Sequence, residues 1–355
     1  MTKEKRILVV GAGAAGATAA YFLKRNDKEN HFSVDLVERL SADKYDRYHD
    51  MCGEGISKDL LKDISPLKPH GLVEKINSFQ EYWPGNIFIE TKMDGYIIDR
   101  VCFFDSIINN FKQEGGNYQT ANVASFEQKK EHVKVKINNE YRKYDYVIGA
   151  DGPNSFFRKS LGISAKTKLF LQFIIDKEPD HGKLKLYYDE NYRGDYLWEF
   201  PHGDNVKIGF PANSTVHREI KEKIVVKQSK FIAYGGLIHY VFGNILLVGD
   251  AAAQTNAITK GGIRSAMNAG KYAAEAILKG DPPLYERKWV YSSFSNPIFT
   301  QAFQQLEHMS NKELEKHMEP FRKGYTLSSY LKSILFYRQY LLLYRAYSLS
   351  NKVGW

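Results

Sequence analysis

The sequence predicts an α/β protein: a Rossmann-like dinucleotide-binding domain, an antiparallel β-sheet domain inserted into it, and a helical C-terminal region. Three observations carry this reading. The apolar strand Ile7-Leu8-Val9-Val10 runs directly into Gly11-Ala12-Gly13-Ala14-Ala15-Gly16 and then into a helix-forming run, Ala17 to Leu23. Two later apolar strands, near 146–149 and 245–248, also end in turns that carry an aspartate. Between them, residues 168–238 are rich in Phe, Tyr, Ile and Lys in alternation, the pattern of half-buried strands.

The first turn has the spacing that a bound pyrophosphate needs. Gly11 permits the tight bend, Gly13 lets a phosphate approach the backbone, and Gly16 lets helix and strand pack closely. With Ala14 and Ala15 they offer free N–H groups at a helix N-terminus. The next strand, Val34 to Glu38, ends in an acid where a ribose-binding carboxylate belongs, and Arg39 follows it. Residues 39–50 are polar and read as a loop. They lead into Met51-Cys52-Gly53-Glu54-Gly55-Ile56, whose glycines allow close backbone approach to something flat or charged. On chemistry alone, Cys52 reads equally as a small core residue and as a thiol facing a ligand.

Further along, Tyr82 to Asn86 and Ile87 to Glu90 read as strands, with a hairpin turn at Asp94-Gly95 before Tyr96-Ile97-Ile98. Arg100 ends that segment. A helix is expected from Phe103 to Phe111, closed by Gly115-Gly116. Val133 to Ile137 alternates as a half-buried strand does. Tyr144 to Ile148 is a buried strand entering the turn Gly149-Ala150-Asp151-Gly152. The centre of the second sheet is Tyr196-Leu197-Trp198-Glu199-Phe200-Pro201, followed by a strand from Val206 to Phe210. The last buried strand enters Gly249-Asp250. Gly261-Gly262-Ile263 then open a helix to Leu278, whose Ala266, Ala269, Gly270, Ala273 and Ala274 predict close packing on a cofactor or a sheet. These readings divide the chain into a discontinuous dinucleotide-binding part (1–78, 100–165 and 240–285), a sheet domain (79–99 and 166–239) and a helical region (286–355).

Composition narrows the function. Two cysteines among 355 residues make no disulfide framework, and the chain is expected to be cytoplasmic. Met1 to Arg6 run straight into the first strand, so no signal peptide is expected, and no apolar run reaches the length of a membrane span. No zinc spacing, helix-turn-helix signature or internal repeat is present, so neither a metal nor nucleic acid is expected. The net charge of +9 is unevenly placed: beyond Glu319 there is no acid, but Arg322, Lys323, Lys332, Arg338, Arg345 and Lys352 all follow. Such asymmetry points to a local anionic partner. From Tyr330 to Tyr347 a single helix would place Phe336, Tyr340, Leu343 and Tyr347 on one side. That helix either docks on the body or makes peripheral contact with the inner face of a membrane through residues 320–355.

The three turns, Gly11 to Gly16, Ala150-Asp151-Gly152 and Val248-Gly249-Asp250, favour FAD over NAD. An acid at the late strand end can accept ribityl hydroxyls, and the following helix N-terminus can face the flavin's pyrimidine edge. Their arrangement resembles the FAD-dependent group of aromatic hydroxylases, flavin halogenases and geranylgeranyl reductases over most of residues 7–280. Within that group the sequence is most similar to the geranylgeranyl reductases, which saturate isoprenoid chains. Met51 to Ile56 resembles their cysteine-glycine motif near the flavin, and Tyr196-x-Trp198-x-Phe200-Pro201 resembles their substrate-cavity motif. The resemblance implies catalytic roles for Cys52, Tyr196 and Trp198, and a substrate wall that includes Phe200 and Pro201. It also implies cofactor contacts from Cys52, Gly53, Arg100, Asp151, Gly152, Gly249, Asp250, Gly261, Gly262 and Ile263. Departures are visible. Phe104 stands where the family's acid follows Arg100 and Phe103, Asn256-Ala257 replaces Asn-Pro, and Lys260 replaces a glycine and is expected near the flavin.

The chemistry so implied is hydride from reduced flavin N5 to the tertiary carbon of a prenyl double bond, plus a proton to the other carbon. The Cys52 thiol, the Tyr196 hydroxyl and an ordered water remain alternative proton sources. A flavin monooxygenase or halogenase, and a non-catalytic prenyl-lipid-binding flavoprotein, are the competing readings. Because there is no second nucleotide fingerprint and too few cysteines for an iron–sulfur site, an unidentified electron donor is expected, either a transient partner or a nicotinamide.

Overall fold

A computed structural model of the chain describes residues 4–215 and 220–353. The remaining residues, at the two ends and inside the 166–239 segment, lie outside the description.

The chain opens with β1 (Lys5–Val10), α1 (Ala14–Asn26), β2 (Phe32–Glu38), α2 (Ala42–Asp50), β3 (Gly55–Ser57) and α3 (Lys58–Asp63). A long hairpin follows, β4 (Leu72–Trp83) and β5 (Ile87–Ile98), then α4 (Arg100–Gln113) and β6 (Asn117–Thr120). Next come β7 (Val123–Gln128), β8 (Val133–Ile137), β9 (Glu140–Tyr144), β10 (Tyr146–Gly149) and α5 (Phe156–Ser160). The second sheet continues through β11 (Lys166–Ile175), β12 (Lys183–Tyr187), β13 (Leu197–His202), β14 (Asn205–Pro211) and β15 (Ile224–Tyr234). The chain returns with β16 (Val241–Phe242) and β17 (Ile245–Leu247), and closes with α6 (Ile263–Leu278), α7 (Pro283–Val290), α8 (Ile298–Leu306), α9 (Asn311–Met318), α10 (Leu327–Phe336) and α11 (Leu341–Val353).

One sheet has the order β16-β17-β10-β1-β2-β6, parallel except at β16. Its central strand β1 contributes Ile7, Leu8 and Val9, all fully buried, as an apolar run covered on both faces must be. Helices α1 and α6 pack together beside it. Gly270 of α6 serves that contact, since a Cβ there would lie 2.3 Å from the Ala15 carbonyl oxygen, while Ala266 in the first turn of α6 faces the cavity described below. The second sheet has the order β15-β11-β14-β13-β12-β4-β5-β3, antiparallel except where β12 meets β4. A separate three-stranded sheet, β7-β8-β9, packs Val133, Val135 and Ile137 into the core that surrounds β1, and its Phe126 stacks on Phe157 of α5.

Several expectations are corrected. Residues 42–50 form α2, not a loop, because Tyr45 and His49 fall four apart on one apolar stripe and both bury. The hairpin turns at Pro84-Gly85-Asn86, where Gly85 (φ +74°) and Asn86 (φ +56°) are left-handed, and not at Asp94-Gly95. Gly95 lies inside β5 and lets β3 approach, since a Cβ there would meet the Ile56 carbonyl oxygen at 2.5 Å. Strand β4 begins at Leu72, so the large sheet takes in residues that the sequence reading gave to the dinucleotide-binding part.

The tail is not one helix. It breaks between Phe336 and Leu341, and the two halves behave oppositely. Tyr340, Leu343 and Tyr344 bury against α8 and α9, where the Tyr344 hydroxyl donates to the His317 carbonyl at 2.6 Å. Phe336, expected on the same face, is 73% exposed.

Candidate active site

The two sheets enclose a cavity of about 690 Å³. Of the residues singled out from the sequence, Gly16 and Pro201 lie off its wall and all the others line it. Three strand ends build one side. At the first, the amide of Gly11 donates to Val37 O at 2.8 Å, and Gly11 itself takes φ +98°. Gly16 acts in packing: a Cβ there would lie 1.9 Å from Gly11 O. Gly13, Ala14 and Ala15 open α1 toward the cavity. The buried Glu38 carboxylate accepts from the Ala12 amide at 3.0 Å and the Leu40 amide at 2.9 Å, so it fixes the turn from the neighbouring strand.

At the second strand end, Asp151 Oδ2 accepts from the Phe156 and Phe157 amides at 2.6 and 3.2 Å and so caps α5. Burial raises its pKa. Its other oxygen finds no partner among the described residues. At the third, Gly249 (φ +65°) bends the chain so that Asp250 reaches the cavity, and Thr255 Oγ1 donates to Asp250 Oδ1 at 2.9 Å. Buried Arg158 joins the second and third turns. Its guanidinium donates to the carbonyls of Pro153, Asp250 and Ala251 at 2.5, 3.2 and 2.9 Å. Gly261, Gly262 and Ile263 bring the N-terminus of α6 to the same wall.

The opposite side is the second sheet. Trp198 on β13 fits only because its neighbour on β14 is Gly209, where a Cβ would fall 1.7 Å from the indole. Its Nε1 has no partner among the described residues. Phe200 lies under the Cys52-Gly53 loop, with its ring 2.8 Å from where a Gly53 Cβ would stand. The Tyr196 hydroxyl donates to the Thr259 carbonyl, and burial raises its pKa far above the usual phenol value. Phe170, Gln172 and Ile232 complete this wall.

Cys52 lines the cavity partly buried, whereas Cys102 is exposed on α4. Behind Cys52 the chain is held by Lys207. Its buried ammonium donates to Glu54 Oε2 at 2.6 Å, Asp50 Oδ1 at 3.1 Å and Asp50 O at 3.0 Å. Arg100 donates to the carbonyls of His49 and Met51, each at 3.4 Å, and its guanidinium lies 5.1 Å from the Phe104 ring centre. Phe104 therefore supports Arg100 with a ring face where an acid was expected. Lys260 lines the same cavity. Its ammonium donates to the Ala257 carbonyl of its own turn, pairs with buried Asp195 at 2.7 Å and sits 3.7 Å from the Phe303 ring centre. Burial lowers its pKa.

Tyr48, His49 and Lys230 also line the cavity and were missed. Tyr48 and His49 were hidden by the loop reading of α2. Lys230 was legible: on β15 it shares the face of Gln228 and Ile232, two residues either side. Its ammonium lies 4.1 Å from the Tyr48 ring centre, and burial, then nearby Arg100, push its pKa down to about 7.

The residues lining the cavity fit a flavin cofactor. They pair a glycine cradle with polar atoms that lack partners among the described residues: Asp151 Oδ1, His49 Nδ1 and Arg100 Nε. A buried polar atom left unpaired costs about 1–3 kcal/mol, so such atoms mark where a polar ligand belongs.

Known proteins agree with this construction. The NAD(P)-binding Rossmann-like domain family matches residues 9–42. Digeranylgeranylglycerophospholipid reductase 2 of Methanosphaera stadtmanae is 28% identical, over 90% of this chain and 92% of its own. Geranylgeranyl diphosphate reductase of Rhodobacter capsulatus is also 28% identical, over 76% of this chain and 74% of its own. Among solved structures, a geranylgeranyl bacteriochlorophyll reductase-like protein of Thermoplasma acidophilum superposes with a TM-score of 0.78 at 20% identity, covering 98% of this chain and 99% of that one. A flavin-dependent halogenase reaches a TM-score of 0.68 at 15% identity, over 88% of this chain and 67% of its own. The flavoprotein fold and the likeness to geranylgeranyl reductases read from the sequence are both borne out.

Proposed function

We propose that this chain, similar to geranylgeranyl reductases over most of its length, is an FAD-dependent reductase that saturates carbon–carbon double bonds in the isoprenoid chains of a lipid. The observation that carries the reading is a juxtaposition. The Tyr196–Trp198–Phe200 strand and the Cys52-Gly53 loop share one cavity with all three dinucleotide turns.

In this reading Gly11, Gly13, Ala14 and Ala15 receive the diphosphate, and Glu38 and Arg39 take the adenosine end. Arg100, Asp151, Gly152, Gly249 and Asp250 hold the middle of the cofactor, and Gly261, Gly262 and Ile263 present amides to its ring. Bound FAD supplies hydride once reduced. The protein supplies placement, dryness and a proton. Aromatic faces at Tyr196 and Trp198 stabilise positive charge building on a prenyl carbon by about 2 kcal/mol when desolvated. Of the proton sources, the Tyr196 hydroxyl is already committed to Thr259 O. That leaves the Cys52 thiol or a water beside it. Reducing equivalents come from a transient partner or a nicotinamide.

The halogenase reading asks for a lysine in the cavity, placed to handle hypohalous acid. Lys260 lines the cavity with its ammonium already paired to Asp195, and Lys230 stands there against Tyr48. One experiment separates the readings. A geranylgeranyl phospholipid is incubated anaerobically with dithionite-reduced protein and analysed by mass spectrometry. Gains of two hydrogens per double bond are expected. An unchanged lipid, or a product formed only with oxygen, would overturn the assignment.

A further inference from the structure

Helix α10 is amphipathic the wrong way round. Its inner face is serine: Ser329 is 5% exposed and Ser333 is 1% exposed. Both hydroxyls bond locally, Ser329 to Gly324 O and Ser333 to Tyr330 O, each at 2.8 Å. Its outer face is apolar. Leu327, Leu331, Ile334 and Leu335 follow helical spacing and are 78%, 52%, 49% and 57% exposed, with Phe336 beside them. A contiguous apolar face on solvent marks an interaction site.

The surrounding charge identifies the occupant. Lys323, Lys332 and Arg338 are exposed before, on and after the helix, and no acid follows Glu319. Arg322 is already neutralised by Glu315 and Glu319. At ten residues, the helix is about 15 Å long, too short to cross a hydrocarbon core of about 30 Å. Among the described residues no helix is long and apolar enough to span a membrane. A short helix with an apolar face and flanking cations suits the interface of an anionic bilayer.

We infer that α10 is an interfacial helix that seats this protein on an anionic lipid bilayer, while α11 anchors the tail to the body. The choice of a lipid partner rests on the reductase reading, because a long prenyl chain resides in a bilayer. The geometry divides a tail that sequence treated as one element: α11 buries its tyrosines, and α10 leaves its leucines free.

Flotation with vesicles tests this without turnover. The flavin-loaded protein is mixed with phosphatidylglycerol–phosphatidylcholine vesicles, and separately with phosphatidylcholine alone. Binding to the anionic vesicles is expected, weakening as salt rises. Leu331→Glu/Leu335→Glu is expected to reduce the bound fraction by about tenfold or more while melting and flavin content stay unchanged. Phe336→Trp gives a second readout, quenching by bromine-labelled acyl chains. Equal binding by the double variant, or no quenching on bound vesicles, would overturn the proposal. So would a dimer that covers α10 and does not float. Failure of the reductase reading is distinguishable: vesicle binding that depends on α10, without reduction of any prenyl lipid, removes the activity and leaves the membrane seat.

Discussion

Lys207 and Glu54 form an ion pair sealed from water, with Nζ and Oε2 2.6 Å apart. The pair joins β14 of the second sheet to the loop that carries Cys52. Glu54 holds a left-handed backbone there, φ +64°, and burial raises its carboxyl pKa while Lys207 opposes that shift. Lys207→Met strands a buried carboxylate and is expected to cost about 3–5 kcal/mol. Lys207→Met/Glu54→Leu should recover much of that loss. Denaturant unfolding of the three proteins checks it, and a Lys207→Met protein as stable as the parent would refute a supporting role for the pair.

Gly13 and Gly16 should respond differently to the same change. A Cβ at Gly13 would meet only His49, at 3.4 Å, whereas one at Gly16 would collide with Gly11 O. Gly13→Ala is therefore expected to fold and lose FAD affinity by about tenfold or more, because the methyl takes phosphate space. Gly16→Ala should fail at folding, through overpacking of about 1–3 kcal/mol or more. Fluorescence titration with FAD, beside thermal melting, separates the two.

Cys52→Ser removes a thiol from the cavity with little change in volume. It should leave flavin stoichiometry and melting temperature intact while lowering turnover or the number of double bonds reduced. Product distribution by mass spectrometry is the readout, and a wild-type distribution at wild-type rate would show that the thiol takes no part.

Lys230 should make cofactor binding depend on pH. The groups around it are Arg100 on α4, Tyr48 on α2, Cys52 and Glu54 on the loop, and Asp250 beyond β17. Its depressed pKa, about 7, means that the empty folded protein binds fewer protons there than the unfolded chain between about 7 and the ordinary lysine value. Stability of the empty protein therefore rises with pH across that window. An anionic cofactor favours the protonated form, so binding takes up a proton and affinity falls as pH rises above 7, by up to about tenfold per pH unit. Calorimetry in buffers of different ionisation heat should detect the uptake, and Lys230→Met should abolish it. An equal uptake in that variant would place the proton elsewhere.

Much of the fold was legible because the signals were local and strong. Apolar strands followed by Gly/Asp turns can be read in a window of ten residues, and the three turns do meet in space. The Tyr196–Phe200 strand was legible for the same reason. What failed depended on distant partners. Residues 42–50 lack apolar content overall, so the two buried positions that make α2 a helix were masked by charge. Asp94-Gly95 has turn chemistry, but its glycine answers the close approach of β3, a contact 39 residues away in sequence at Ile56. Lys260 lines the cavity as its motif places it, but its pairing with Asp195 was not legible, because no spacing rule connects the two. The break at Tyr337 was invisible because each half of the tail is a good helix former.

The Arg158 bridge has a bearing on biosynthesis. One guanidinium clasps carbonyls at Pro153 and at Asp250 and Ala251, and the strands beneath repeat the separation, with Val147 registered against Ile245. A ribosome therefore delivers the entire second sheet before the residues that complete the ligand cavity emerge. A nascent chain stalled before β17 holds the glycine cradle without the third turn at Gly249-Asp250, and pairings of such long sequence separation are slow to form. During that interval the unfinished edge of β10 is open to mispairing, and the supply of flavin in the cell gains influence over how much chain matures.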